Sequence, residues 1–130
     1  MKTVCSLLVL VVMICLAGCG ESKATVKGKI VENGQPKTFG ANQAALQLTL
    51  IGPDGKPDDN KSFTAVVNED GTFEVVASGG EIPIGKYQVA VQIMGATGQP
   101  YKKLAPPDSP IRRELKSGAN ELTIDLAKPE

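Results

Sequence analysis

Short runs of alternating polar and apolar residues, separated by turn residues, constrain the fold of this chain most strongly. From Thr25 to Val31, apolar positions alternate with Lys27 and Lys29, which is typical of a half-buried strand. Similar runs occupy residues 45–51, 62–67, 72–76, 84–93, 111–116 and 122–126. Short strands at regular spacing, with Gly, Pro and Asn between them, predict an all-β sandwich.

Residues 84–93 form the clearest of these predicted strands. Tyr87, Val89 and Val91 share one face, which we expect to lie in the core. Gln88 lies on the other face, and we expect an acidic residue to be tolerated there. Residues 111–116 place Ile111 and Leu115 inward, but the same alternation also turns Arg113 inward.

The segments between the predicted strands contain turn and loop residues. Asn33–Gly34 predicts a turn, and Asn68–Gly71 predicts a hairpin between the strands on either side. Residues 52–60 predict a solvated loop, because their acidic residues do not have the spacing of a calcium-binding EF-hand. Residues 95–109 form a long connection that contains Tyr101, Lys102, Lys103 and Pro106–Pro107.

A mostly apolar run from Val4 to Ala17 follows Lys2 at the start of the chain. A membrane-spanning helix needs about 20 apolar residues, and this run is interrupted by residues 18–21 before it reaches that length. A charged start, a short apolar run and small residues at its end are typical of a secretory signal peptide.

The end of that run, Leu16-Ala17-Gly18-Cys19, resembles the lipobox of bacterial lipoproteins. The resemblance implies that Cys19 is thioether-linked to diacylglycerol and becomes the N-terminus, so that the membrane is a partner. Two or more acyl chains hold a protein stably on a membrane. We therefore expect a signal peptide at 1–18, a lipidated N-terminus with a short tether at 19–24 and a sandwich domain at 25–127. Gly20, in place of Asp, favours the outer over the inner membrane of the bacterial envelope.

The charged residues and the absence of His exclude several classes of function. Lys and Arg number 14, as do Asp and Glu, so no strong field attracts nucleic acid. Without His, the chain lacks the commonest general base and zinc ligand. No Ser-x-x-Lys motif replaces it. We expect no enzymatic activity, no cofactor and no bound metal.

Four motifs resemble the small carboxypeptidase-regulatory-like lipoproteins of planctomycete-type bacteria. They are Val26-x-Gly28-x-Ile30, Asn68-x-Asp70-Gly71-x-Phe73, Pro83-x-Gly85-x-Tyr87-x-Val89 and Asn120-x-Leu122-x-Ile124. This resemblance implies a seven-stranded Greek-key sandwich, transthyretin-like or immunoglobulin-like. Arg113 departs from the pattern, since the group carries an apolar residue there. The His residues of transthyretin-related hydrolases are absent, so their activity is not implied.

The expected function is that of a membrane-anchored envelope lipoprotein whose sandwich has a structural or protein-interaction role. The tether is short, so connections at the end of the sandwich far from the membrane are the expected contact surface. These are the segments 33–41, 68–71 and 95–109, with Tyr101, Lys102 and Lys103 as the candidate interaction residues. The alternative is a glycan-binding module that uses the same distal loops.

Overall fold

The computed structural model describes residues 23–77 and 81–129. Within these ranges the chain forms nine strands and one 3₁₀ helix, which spans Ala96–Leu104. The strands are β1 (Lys23–Glu32), β2 (Gln35–Pro36), β3 (Ala44–Ile51), β4 (Pro57–Val67), β5 (Thr72–Val75), β6 (Ile82–Pro83), β7 (Gly85–Ile93), β8 (Arg112–Leu115) and β9 (Gly118–Asp125). In the described part of the chain, no helix is long and apolar enough to cross a membrane.

The strands form two separate sheets, so the all-β prediction is confirmed. One sheet has the order β4-β3-β7-β8, and all its pairs are antiparallel. In the other sheet β1 is central: β9 runs parallel along one edge, while β2, β5 and β6 pair antiparallel with successive parts of the other. The first and last long strands of the domain are therefore neighbours.

The core lies between the two sheets and is built from the apolar positions of the alternating runs. Val26, Ile30, Val89 and Ile124 are fully buried, because every second side chain of each strand faces the opposite sheet. Ile111 and Leu115 face inward as predicted, and Arg113 is half-buried between them. The ring of Tyr87 is also buried, which raises the pKa of its hydroxyl to about 12, and that hydroxyl donates to the Pro83 carbonyl at 2.6 Å.

Gly28 is required where β1 lies between Phe73 and Leu122. It is opposite both residues in the pairing of β1 with β5 and β9. A Cβ atom at this position would lie 2.2 Å from the Leu122 carbonyl oxygen and 2.5 Å from Cζ of Phe73. The Phe73 ring thus occupies the space that a side chain at position 28 would need.

Several predicted boundaries and one pairing are wrong. The first strand begins at Lys23, so it includes residues assigned to the tether, and β4 begins at Pro57, inside the predicted loop. β9 begins at Gly118, where a turn was expected. The Asn68–Gly71 turn does not close a hairpin: β5 pairs with β1 in the other sheet, so this turn carries the chain from one sheet to the other.

The outer face of β7 is covered at Gln88, the position where the sequence predicted that an acidic residue is tolerated. Gln88 is 5% exposed, and its side-chain amide donates to the backbone oxygens of Pro107 and Ser109, each at 2.8 Å. Ser109 is itself buried and donates through its hydroxyl to the Val89 carbonyl. The segment that precedes β8 therefore packs across this face of the sheet.

Candidate interaction surface at the loop end

Three connections meet at the end of the sandwich where β1 finishes, which we call the loop end. The Phe39 amide donates to the Glu69 carbonyl at 2.9 Å, so the segments after β2 and after β4 are joined. The Met94 amide donates to the Gln43 carbonyl at 2.8 Å, which joins the end of β7 to the same surface. The segments 33–41, 68–71 and 95–104 therefore lie together; the predicted distal segments were 33–41, 68–71 and 95–109.

The first element of the loop end is the β1–β2 hairpin. Asn33 and Gly34 have φ values of 52° and 77°, and such a pair of left-handed residues is typical of a type I′ turn between two strands. The Asp125 carboxylate, at the end of β9, accepts hydrogen bonds from both backbone amides at 3.0 and 3.1 Å. A hydrogen bond from the Ala127 amide, followed by those from Asn33 and Gly34, lowers the pKa of Asp125. The carboxylate fixes the hairpin to the neighbouring strand.

A cluster of Glu32, Lys37 and Tyr101 links this hairpin to the 3₁₀ helix. The Tyr101 hydroxyl donates to Oε1 of Glu32 at 2.6 Å, and the Lys37 ammonium donates to Oε2 of the same carboxylate at 2.6 Å. Nζ of Lys37 lies 3.3 Å from the Tyr101 hydroxyl and 5.5 Å from the centre of its ring. The ammonium is therefore in contact with both other members.

The charges of the cluster stabilise one another. The hydrogen bond from Lys37, followed by that from Tyr101, lowers the pKa of Glu32. The same ion pair raises the pKa of Lys37. Both side chains are about one-third exposed, at 34% and 31%, so solvent screens this pair only in part. The cluster is a fixed polar contact between two parts of the chain that are distant in sequence.

The structure separates the three predicted interaction residues. Tyr101 is half-buried and packs against the core. Lys102 and Lys103, in the last turn of the 3₁₀ helix, are exposed. The long connection predicted over residues 95–109 contains the 3₁₀ helix Ala96–Leu104 in its first part. The exposed cations are therefore held on an ordered element.

A small concavity of about 240 Å³ lies beside the cluster. Its lining is mixed, with apolar surface from Phe39, Ile93 and Pro100 and polar groups from Lys37 and Gln43. No group of three His, Cys, Asp or Glu side chains that could hold a metal ion occurs within residues 23–77 and 81–129. The polar groups of the Glu32, Lys37 and Tyr101 cluster beside it bond to one another.

Sequence reasoning identified Tyr101 but missed Glu32 and Lys37. The available signal was Asn33–Gly34, which is the strongest short-range indication of a hairpin. A two-residue loop pairs Glu32 with Gln35 and places Lys37 close to the same strand end. The predicted lipidation site, Cys19, lies outside the described residues.

The sequence matches no protein-family model and no curated protein. Among solved structures, the chain is similar in fold to the crystal structure of a DUF3823 family protein from Parabacteroides merdae ATCC 43184, with a TM-score of 0.50 and 20% sequence identity. The match covers 80% of this chain and 45% of that one, so this chain spans less than half the length of its structural neighbour. The likeness defines a β-rich domain that also occurs in a bacterial protein.

Proposed function

We propose that this protein is a lipid-anchored lipoprotein of the bacterial envelope whose β-sandwich is a non-catalytic protein-interaction module. One observation carries the proposal: a complete lipobox ends at Cys19, and β1 begins at Lys23. Residues 20–22 span at most about 11 Å when extended. The anchor on Cys19 therefore holds the start of β1 close to the lipid head groups, in the outer membrane by preference because residue 20 is Gly and not Asp.

The direction of β1 supports the loop end as the contact surface. β1 has ten residues, which extend about 33 Å at about 3.3 Å per residue. The loop end lies at the far end of that strand, so it faces away from the membrane when the start of β1 is anchored. The exposed Lys102 and Lys103 lie there on an ordered helix. A partner in the envelope reaches this end without meeting the lipid surface.

We also propose that the sandwich is a seven-stranded Greek-key fold, as in the carboxypeptidase-regulatory-like lipoproteins. Without β2 and β6, which have only two residues each, seven strands remain. The connections β4–β5 and β8–β9 pass from one sheet to the other, as Greek-key connections do. These features support the resemblance that the four sequence motifs indicated.

Lipidation is tested by replacing Cys19 with Ala. Only the Cys19 thiol can form the thioether, so the variant should remain an unprocessed precursor without lipid. The measurement is metabolic labelling with a fatty acid analogue, together with the mass of the mature N-terminus. Cys15→Ala is the matched control, because Cys15 lies within the predicted signal peptide and should leave labelling unchanged. Label retained in Cys19→Ala contradicts the proposal.

The contact surface is tested by the double variant Lys102→Ser/Lys103→Ser. Tyr101 is left in place because its hydroxyl bonds to Glu32 and its ring packs on the core. The matched control is Lys56→Ser/Lys116→Ser, which removes the same charge from exposed positions at the opposite end. Crosslinking and pull-down from native membranes should lose a partner with the first variant only. Equal partner profiles for both variants contradict a role for the loop end.

The glycan-binding alternative has weaker support. A sugar-binding platform presents an open aromatic face, whereas Tyr101 is half-buried and has the Lys37 ammonium 5.5 Å from its ring centre. A retained oligosaccharide in the same pull-down, lost in Tyr101→Phe, is the result that would favour it.

A further inference from the structure

The exposed edges of the two sheets differ in how they are protected from pairing with another strand. β4 begins with Pro57, carries Lys61, and changes register against β3 between Thr49 and Ile51. β8 has only four residues, two of them arginines. Proline, lysine, irregular register and short length are the usual devices that prevent edge pairing. Both edges of the four-stranded sheet therefore have such protection.

β9 has none of these devices. It has eight residues, Gly118–Asp125, without Pro, Lys or Arg. Its pairing with β1 is regular over its whole length, from Gly118 opposite Ala24 to Asp125 opposite Val31. Among the residues that the structure describes, β9 pairs with β1 alone. One edge of a long, regular strand is thus left open.

The backbone groups at this edge can be assigned from the hydrogen bond between Leu126 and Val31. The Leu126 amide donates to the Val31 carbonyl at 2.9 Å, so residue 126 directs its backbone groups toward β1. Because backbone direction alternates along a strand, Ala119, Glu121 and Thr123 direct their N–H and C=O groups away from β1. All three residues are exposed. They present a row of alternating donors and acceptors.

We propose that this edge of β9 binds an extended peptide segment of another protein, which adds to the sheet as a further strand. Main-chain hydrogen bonds supply affinity in such strand addition, and alternate side chains supply specificity. The segment carries Lys or Arg beside Glu121, and apolar residues at the positions next to Leu122 and Ile124, which face the core.

The charges around Glu121 determine this preference for a basic segment. Lys27, the residue opposite Glu121 on β1, is directed toward β5, where it lies 3.8 Å from Glu74. The other acidic residue of β9, Asp125, already accepts three backbone amides at the loop end. Glu121 is therefore the carboxylate that β9 offers at its open edge, and a basic side chain complements it.

If the chain is anchored through Cys19 as proposed, a second copy of it fits this edge less well than a segment of another protein does. Two β9 strands related by a two-fold axis pair antiparallel, and β9 runs parallel to β1. The starts of the two β1 strands would then lie at opposite ends of the dimer, and both anchors could not enter one membrane with the loop ends directed outward. A strand from a different protein has no such constraint.

The test uses the full chain in detergent micelles and an eight-residue probe peptide in which valine alternates with lysine, matched to the length of β9. Binding is followed by fluorescence anisotropy and by amide shifts along β9.

Thr123→Pro removes an edge N–H that β1 does not use, and proline is tolerated at such positions. We expect affinity to fall about three- to tenfold, as for one lost hydrogen bond. A probe methylated on alternate amides should not bind.

Charge reversal provides a second, independent variant. Glu121→Lys should weaken binding of the valine–lysine probe and strengthen binding of a valine–glutamate probe. Glu114→Lys, an exposed change on β8, should alter the binding of neither probe. The proposal is overturned if the methylated probe binds as well as the unmethylated one, or if no saturable binding is found. It is also overturned if the protein forms a dimer that Thr123→Pro dissociates. The experiment measures peptide binding and not membrane attachment, so its failure leaves the lipid anchor untouched.

Discussion

The side-chain amide of Gln88 donates to the Ser109 carbonyl oxygen at 2.8 Å, from the face of β7 that faces away from the sheet-to-sheet core. The same amide donates to the Pro107 carbonyl at 2.8 Å. One glutamine on a strand thus fixes the segment that leads into β8, although Ser109 lies 21 positions further along the chain. Gln88 therefore links β7 to the connection that precedes β8 through two hydrogen bonds.

Replacing Gln88 with Asp should destabilise the fold. Aspartate cannot donate to either carbonyl, and a carboxylate would face two acceptor oxygens at a site that is 5% exposed. Both carbonyls lose this donor, but the Ser109 carbonyl keeps the Arg112 guanidinium as a donor at 2.7 Å. We expect a loss of about 1–3 kcal/mol, the cost of one acceptor left without its donor. Urea unfolding measures the change in the free energy of unfolding. Gln92→Asp is the matched control, because Gln92 lies on the same face of β7 and is exposed. Equal losses of unfolding free energy in the two variants would contradict a role of Gln88 in holding this connection.

Val89→Asp should abolish folding. Val89 is fully buried between the sheets, and the cost of burying an unpaired carboxylate exceeds what a domain with a total stability of about 5–15 kcal/mol can absorb. The circular dichroism spectrum should show an unfolded chain. Val66→Asp, at a position on β4 that is 59% exposed, should remain folded. A cooperative unfolding transition in Val89→Asp would show that the core is placed wrongly.

The strands and their inward faces were predictable because alternation with a period of two is a local property of the sequence. Val26, Val89 and Ile124 are buried for this reason. The partners of each strand were not predictable, since the Asn68–Gly71 turn has the same residues whether it closes a hairpin or changes sheets. The bonds from Tyr101 to Glu32 and from Gln88 to Ser109 join residues distant in sequence, so no local pattern reports them.

Gly28→Ala should lower stability by about 1–3 kcal/mol, the usual cost of overfilling a packed site. The new Cβ would meet the Leu122 carbonyl oxygen at 2.2 Å and the Phe73 ring at 2.5 Å, so β1, β5 or β9 must shift. Thermal and urea unfolding measure the loss. Lys27→Ala, an exposed change at the adjacent position, is the control and should have little effect.

Phe73→Leu in the same experiment separates the two contacts. If the ring causes part of the strain, Gly28→Ala should cost less in the Phe73→Leu background than in the wild-type protein. The remaining cost then reflects the Leu122 carbonyl, which belongs to the backbone and cannot rotate away. A loss within about 0.5 kcal/mol for Gly28→Ala alone would contradict the close approach at this site.

The cluster at the loop end should make stability depend on acidic pH through Glu32. Its pKa is lowered below the ordinary value of 4.5 by hydrogen bonds from Lys37 and Tyr101, so folding favours the ionised carboxylate. The resulting stabilisation is fully present above the unfolded-state pKa and is lost as pH falls through the folded-state pKa. Asp70 and Asp125 also have lowered pKa values, so the total slope contains their contributions as well.

Glu32→Gln isolates the contribution of Glu32, because the amide keeps an oxygen for the Tyr101 hydroxyl but cannot ionise. We expect the wild-type protein to be the more stable at neutral pH, and the difference to shrink as pH falls from about 5 toward the folded-state pKa. Urea unfolding at a series of pH values measures it. Glu69→Gln, an exposed change at the same end, corrects for net charge. A difference between wild type and Glu32→Gln that stays constant through the acidic range would show that Glu32 gains no stabilisation from Lys37 and Tyr101.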